Sequence, residues 1–477
     1  MDSITILVNP AGRAIKIQKR ILAALIVLVI GMILCSMIPE GGFFSIVLAF
    51  ALAWYCIPIK NNTDVAGPFV CIVLLVLQNF CIGIGAHLTY NLVGISWITQ
   101  VPFVFVSTLF LNGLLKKKRI ESTDKVFIVY ILFIFLAMLR SGASYEVKLI
   151  YFRNMTVFYF AYYVGKEYID TDAKRLKYIN MTVNVVVLVI IIGIVLRHCG
   201  TSIWNKIGIY EVYQAKKSVL ESNGLPSRFY TRLINRAFLR MASLYYEPVN
   251  LAYLMAFGLI ACLSEERIRY RNPKMMLSAL GLILTFGKGG YLFTAFIILV
   301  QGIYTVIKKN LSEKKSYPLA VAISAFGCIT VSVLYYRIGA GRTALYHYYG
   351  IIGTFRSILN NPLGYGLGMG GNMGVTFGQE IDWLSSGGET AIMSFAYQIG
   401  VPGVFALFIL LFTLSKETMI INKKTYIKTI SLGVILAGMF QENTFTPQCI
   451  IPLMMLQGIY SKKNYRKVMV NKIQNKS

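Results

Sequence analysis

The chain has 477 residues, of which 56% are hydrophobic and only 14% charged, against about 25% charged in an average soluble protein, and this excludes an ordinary water-soluble globule. The formal net charge of +27 arises from 47 Lys and Arg against 20 Asp and Glu. In a soluble protein such an excess points to nucleic acid, but in so apolar a chain the charges must first be sorted by side of the membrane.

Apolar runs recur near residues 21–38, 42–59, 66–85, 92–115, 126–139, 149–165, 178–196, 247–263, 274–286, 290–307, 317–336, 389–413, 427–441 and 448–460. Fourteen helices of about 20 residues each would take up roughly 280 residues, which the chain accommodates. The expected fold is all-α: a single integral membrane domain over 1–477 with about 14 transmembrane helices. The first run follows basic residues as a signal peptide would, yet it ends at Pro39-Glu40 without a small-x-small cleavage site, so it reads as an uncleaved span.

With the amino terminus on the cytoplasmic side, alternation places the basic clusters at 116–119, 174–177, 267–271, 308–315 and 423–424 and the basic tail from Lys462 inside. Both termini are then cytoplasmic. About 32 of the 47 basic residues lie inside and about 15 outside; about ten of the outer ones are arginines, against about eight of the inner ones. Arginine presents a planar fork of donors that grips carboxylates and phosphates at two points, and orientation signals do not need that fork. The outer arginines therefore point to an anionic ligand, with small-number scatter and snorkelling to lipid head groups as the plain alternative.

Two outer segments, 197–246 and 337–388, are long enough to expect function in them. The first carries Arg228, Arg232, Arg236 and Arg240, spaced every four residues. On a helix these would form one basic stripe about 18 Å long, suited to a pyrophosphate or to the outer leaflet. Arg240-x-x-Ser243-x-x-Tyr246-Glu247-Pro248 then leads into a span, where Glu247 is either a helix-start carboxylate complementing the dipole or a working group. The turn Gly287-Lys288-Gly289-Gly290 leaves Lys288 as its only charge. Its glycines serve the turn alone, or they let Lys288 and backbone N–H groups approach a phosphate.

The second segment holds Arg337, Arg342 and Arg356, followed by GYGLGMGG at 364–371. No strand precedes this run and no βαβ helix follows it, so it is not a dinucleotide fingerprint; its glycines let the backbone approach a ligand or cross under another loop. Glu389 opens the next span as a cap or as a catalytic group. Within the aromatic run Tyr151 to Tyr163, which reads as packing or as a groove wall, Arg153 is an ionisable group at membrane depth and hence a functional candidate. Eight cysteines without a CxxC pair and three scattered histidines support neither a disulfide framework nor a zinc site.

In order and spacing, Arg240-x-x-Ser243 with Glu247-Pro248, Leu284 to Gly290, Asn361-Pro362-x-Gly-x-Gly-x-Gly, and Glu389 with Gly400-x-x-Gly403 resemble the O-antigen polymerase and O-antigen ligase superfamily. The resemblance covers about 240 to 403. It implies a glycosyltransferase of the plasma membrane that joins glycans carried on undecaprenyl pyrophosphate at the outer face, without cofactor, metal or nucleic acid, beside membrane lipid and the chain-length regulator and flippase of the same pathway. Ligases carry a histidine where the second long loop enters the next span; this chain reads Gly388-Glu389-Thr390, which favours a polymerase. A lysine, Lys288, also stands where the ligase-like turn has arginine. The implied roles are pyrophosphate binding for Arg232, Arg236, Arg240, Lys288, Arg337 and Arg342, and general-base work for Glu389 or Glu247; Arg153 joins them as a substrate-binding candidate through its place at membrane depth. A lipid-linked oligosaccharide flippase is the alternative from another class, though no internal repeat is visible.

Overall fold

The computed structural model describes residues 10–57, 65–90, 95–117, 119–215, 220–221, 225–233, 236–337, 342–372, 382, 384–462 and 464. The chain is mostly helical. Its elements in order are α1 (Pro10–Met37), α2 (Gly41–Cys56), α3 (Ala66–Thr89), α4 (Ile95–Ile98), α5 (Val101–Leu115), α6 (Ser122–Arg140), α7 (Tyr145–Tyr168) and α8 (Asp172–His198). Then come α9 (Thr201–Lys206), α10 (Ile209–Ala215), a hairpin of β1 (Tyr230–Leu233) and β2 (Arg236–Leu239), and α11 (Pro248–Ser264). The last are α12 (Arg271–Thr285), α13 (Lys288–Ile307), α14 (Glu313–Arg337), α15 (Arg342–Asn360), α16 (Ala391–Glu417), α17 (Ile430–Gly438) and α18 (Pro447–Ile459).

Each apolar run of the sequence falls on helix, the run 92–115 being divided between α4 and α5. Seven helices among the described residues, α1, α3, α6, α8, α13, α14 and α16, are long and apolar enough to cross a bilayer, and α2, α5, α11 and α18 are shorter apolar helices. This is the construction of a multi-pass membrane protein. Within it α3 is interior and α14 peripheral, with 83% of the apolar stretch buried in the first and 17% in the second.

The centre is the pair α7 and α18. A Cβ on Gly165 would stand 2.2 Å from the Met455 carbonyl oxygen, and one on Gly458 would stand 2.0 Å from that of Tyr162, so the two backbones touch, as small residues permit between membrane helices. The aromatic run of α7 is almost wholly buried and packs by ring contacts such as Phe127 on Tyr159 at 4.0 Å and Phe110 on Phe160 at 4.3 Å between centroids. It is packing rather than a groove wall.

Connections between helices fall into two groups by their contacts. In one, Arg267 pairs with Asp172 at 2.5 Å, Lys424 with Glu266 at 2.6 Å, and Asn464 donates to the Lys166 carbonyl at 2.9 Å. In the other, His87 meets Glu211 at 2.7 Å, Arg240 donates to Thr285 O at 2.8 Å, and Asn443 donates to Asn250 at 3.0 Å.

The first long segment departs from expectation. Its arginines do not form a helical stripe: Tyr230 pairs with Leu239, Arg232 with Ala237 and Leu233 with Arg236 in an antiparallel hairpin. Phe229, at the hairpin's base, is buried against Trp204 of α9 and Tyr213 of α10, with ring centroids 5.1 and 6.1 Å away. Arg197 at the end of α8 donates to Leu239 O at 3.0 Å, and Met241 N to Leu284 O at 2.8 Å. The segment is thus docked on the helix ends.

The glycine-rich run in the second segment crosses under other backbone. Gly364, Gly366 and Gly368 all have φ between 83° and 109°, and a Cβ on Gly366 would lie 2.8 Å from Ser141 Cα. The run is clamped between the α6–α7 turn and a break in α16: Ser141 Oγ donates to Leu367 O at 2.5 Å, Tyr365 N to Tyr397 O at 2.8 Å, and Gly368 N to Gln398 Oε1 at 2.7 Å. The break itself is Gly400, at φ 73°. The same segment also contributes α15, a helix where the sequence suggested loop.

Gly458→Ala should cost about 1–3 kcal/mol, because the added methyl meets a backbone carbonyl that cannot rotate away; the control Gly302→Ala has no atom within 4 Å of its new Cβ. The melting temperature of the detergent-purified protein should fall for the first and hold or rise for the second. Equal melting of the two would remove the α7–α18 contact from the stability of the fold.

Candidate functional site: a buried acid and arginine cluster

Glu247 occupies the N-cap position of α11 but caps nothing with its side chain. Its carboxylate instead turns sideways, where Oε2 accepts from Tyr213 at 3.2 Å and lies 3.5 Å from Arg228 Nη1. Glu247 is 5% exposed, and its Oε1 has no hydrogen-bond partner among the described residues. Burial, with Glu247 beside it, holds the Tyr213 phenol well above its usual range, so it stays a donor. Glu247 in turn raises the Arg228 guanidinium above its ordinary value. The Arg228 side chain is 56% exposed, so this cation faces both the buried acid and the open side.

Arg240, next to the hairpin, is engaged differently. Its Nε donates to Thr285 O at 2.8 Å, Nη2 to Phe286 O at 3.2 Å and Nη1 to Arg228 O at 3.3 Å. The guanidinium therefore satisfies carbonyls at the C-terminus of α12, where a cation is also favoured by the helix dipole. Partial burial lowers its affinity for its proton. Hairpin closure makes Arg228 and Arg240 neighbours, with Arg240 N donating to Phe229 O at 2.7 Å. Lys288 is exposed at the first residue of α13.

Glu389 sits in the turn before α16, 31% exposed, with Oε2 3.0 Å from His347 Nε2 on α15. A histidine thus does stand at the entrance to this helix, supplied from the far end of the same segment. Glu442, which no motif singled out, lies between α17 and α18. Its Oε1 accepts from Asn372 N at 3.1 Å and contacts the Tyr151 hydroxyl at 3.4 Å, and Tyr151 also donates to Gly370 O. Burial pushes Glu442 up to about 7; Glu389 adds to the rise, while the Asn372 N–H and Arg228 oppose it. Arg228 lies against Glu247, and its charge and that of Glu389 bear on Glu442. A sequence signal for Glu442 existed only as an acid in the short connection between two apolar runs.

The remaining candidates stand apart from these groups or cannot be placed among them. Arg153 is buried in α7 and hydrogen-bonds Gln100 at 2.9 Å and Asn154 at 3.0 Å. Arg232 and Arg236 lie on the paired strands, Arg337 closes α14 and Arg342 opens α15; the side chains of all four lie outside the described residues. Among the described residues no three His, Cys, Asp or Glu stand together to hold a metal ion. An open groove of about 430 Å³, lined by Asn180, Asn184, Arg269, Tyr270 and Lys274, contains none of the sequence-derived residues.

The fold is that of a multi-pass helical membrane protein, in which Arg228 lies against Glu247 and His347 against Glu389. No protein-family model matches the chain, and no curated protein matches it.

Arg240→Lys keeps the charge but loses the fork that reaches three carbonyls, and should destabilise the protein by roughly 1–3 kcal/mol. The expected readout is a melting temperature lowered by several degrees, with the variant still inserted in the membrane. Unchanged melting would mean that Arg240 is not part of the scaffold.

Proposed function

We propose that the protein is a membrane glycosyltransferase that polymerises undecaprenyl-pyrophosphate-linked oligosaccharide repeat units into an exported polysaccharide, such as capsule or O-antigen, at the outer face of the plasma membrane. In this reading about 14 helices cross the bilayer, and the cluster of Arg228, Glu247, Glu389 and Glu442 faces outward. The observation that carries it is that an exposed arginine and several carboxylates gather where the resemblance to the polymerase and ligase superfamily expects an anionic leaving group and a proton acceptor.

The reaction asks two things of such a site. The acceptor hydroxyl oxygen forms a bond to the donor's anomeric carbon, and the bond from that carbon to the pyrophosphate oxygen breaks with its electron pair. Charge builds on the pyrophosphate, and a preorganised guanidinium in a partly dry site stabilises it more than water does. Arg228 has the open cationic face for this task; Arg240 is committed to carbonyls and fixes Arg228 through its backbone. The hydroxyl proton goes to a carboxylate, for which Glu247, Glu389 and Glu442 are the neighbours.

One observation favours a second reading. His347 against Glu389 places a histidine at the helix entrance where ligase-type members carry one, so a transferase that hands a finished glycan to a different acceptor is the runner-up. Purified protein supplied with a prenyl-pyrophosphate repeat unit separates the readings. Glycan that lengthens with release of free prenyl pyrophosphate, and that persists in His347→Ala, supports the polymerase. Transfer only to a foreign acceptor, lost in His347→Ala, favours the ligase-like reading, and transbilayer movement without new bonds would sink both.

A further inference from the structure

We propose that Glu442, rather than Glu389 or Glu247, takes the proton of the attacking hydroxyl, held in place by the Tyr151 hydroxyl and the backbone of the glycine-rich loop. This rests on the glycosyl-transfer reading above.

The three carboxylates differ in what already engages them. Glu247 is tied to Arg228 and accepts from Tyr213, so a proton placed on it would cost the ion pair that sets the pyrophosphate-facing arginine. Glu389 lies on the rim, about a third exposed, with His347 on one oxygen. Glu442 is only partly exposed, and the groups around it suit both of its protonation states. The Asn372 N–H, 3.1 Å away, supports the carboxylate. Tyr151 has one hydroxyl proton: directed at Gly370 O, it leaves a lone pair to accept from protonated Glu442, and rotated, it donates to the ionised form.

The loop is shaped to make this contact. Gly371, at φ 73°, has no room for a side chain, since a Cβ would lie 2.5 Å from Ser394 Oγ, 2.5 Å from the Tyr151 hydroxyl and 2.8 Å from Glu442 Oε1. Only glycine lets the Asn372 N–H come up to the acid. The charged and titratable groups bearing on Glu442 are Tyr151 from α7, Glu389 from the turn before α16 and Arg228 from the base of the hairpin, with Glu247 of α11 on the other side of Arg228. Low hydration and the neighbouring Glu389 raise the carboxyl's proton affinity to about 7, which suits a base working near neutral pH.

In the step itself the acceptor oxygen bonds to the anomeric carbon, its proton passes to Glu442, and the pyrophosphate leaves with the electron pair of the broken bond. Glu442 then returns the proton to water. The reactive form is the ionised one, so kcat/KM, which reports the free enzyme, should be full above pH about 7 and fall about tenfold per unit below it.

The test is the pH profile of repeat-unit polymerisation by full-length protein in liposomes. Glu442→Gln should lose about 10²–10⁴-fold in turnover and its residual rate should no longer rise with pH, while Glu442→Asp keeps a titrating limb. Glu389→Gln should move the acid limb of the profile to lower pH, because one source of the raised proton affinity is gone. Full turnover with the wild-type profile in Glu442→Gln, or a profile flattened by Glu389→Gln instead, overturns the assignment and leaves the polymerase reading standing. Wild-type protein that lengthens no glycan overturns both.

Discussion

Backbone contact between α7 and α18 is the constraint on which the rest depends. With Gly165 and Gly458 at the crossing, nothing but peptide separates the two helices, and they run side by side in the same direction. Tyr151 meets Glu442 at one end, and Lys166 and Ile169 meet Asn464 at the other. In between, Phe158 lies edge-on to Phe445 with centroids 6.0 Å apart. Without a hydrophobic force between helices in lipid, such packing and internal hydrogen bonds supply the association.

The long segments are ordered by the same rule that every buried backbone group must find a partner. The glycine-rich run satisfies its N–H groups on Ala137, Tyr397 and Gln398, including the Gln398 side chain. The hairpin hands its end groups to α8 and α12. Both long segments are in this way fastened to helix ends, and each delivers one side of the cluster: Arg228 from the hairpin base, Asn372 and Glu389 from the loop.

What the sequence conveys about this protein divides along physical lines. Apolar runs are read by length alone, and among the described residues each of them falls on helix. Arg228 to Arg240 misleads because a four-residue spacing fits one helix turn as well as a strand, a two-residue link and a second strand. Tyr230, Thr231 and Phe238 favour the strand, and the pairing of Tyr230 with Leu239 decides it. The consequence is large, since a stripe would spread the arginines over about 18 Å, whereas the hairpin returns the first to the last. Glu247 stands at the N-cap of α11, as its place in the sequence suggests, but its side chain makes no capping hydrogen bond, because that depends on a side-chain rotation that composition does not encode. Glu442 escaped because its importance comes wholly from groups distant in sequence, Tyr151 and Asn372.

On the proposed chemistry, binding and proton transfer in this cluster are linked rather than separate. A pyrophosphate seated on Arg228 brings negative charge close to Glu442 and at the same time offsets the arginine that holds the acid's proton affinity down. Both effects favour a proton on Glu442. Donor arrival thus strengthens the base at the moment a proton must be taken from the acceptor. Departure of the pyrophosphate then restores the influence of Arg228 and eases the proton's return to water. The lysine alternative at such a position would carry the same charge but not the fork, and the backbone that carries Arg228 is anchored by its own carbonyl to Arg240. The outer preference for arginine, first visible as a composition bias, becomes on this view a matter of keeping one cation rigid between a leaving anion and the group that receives the proton.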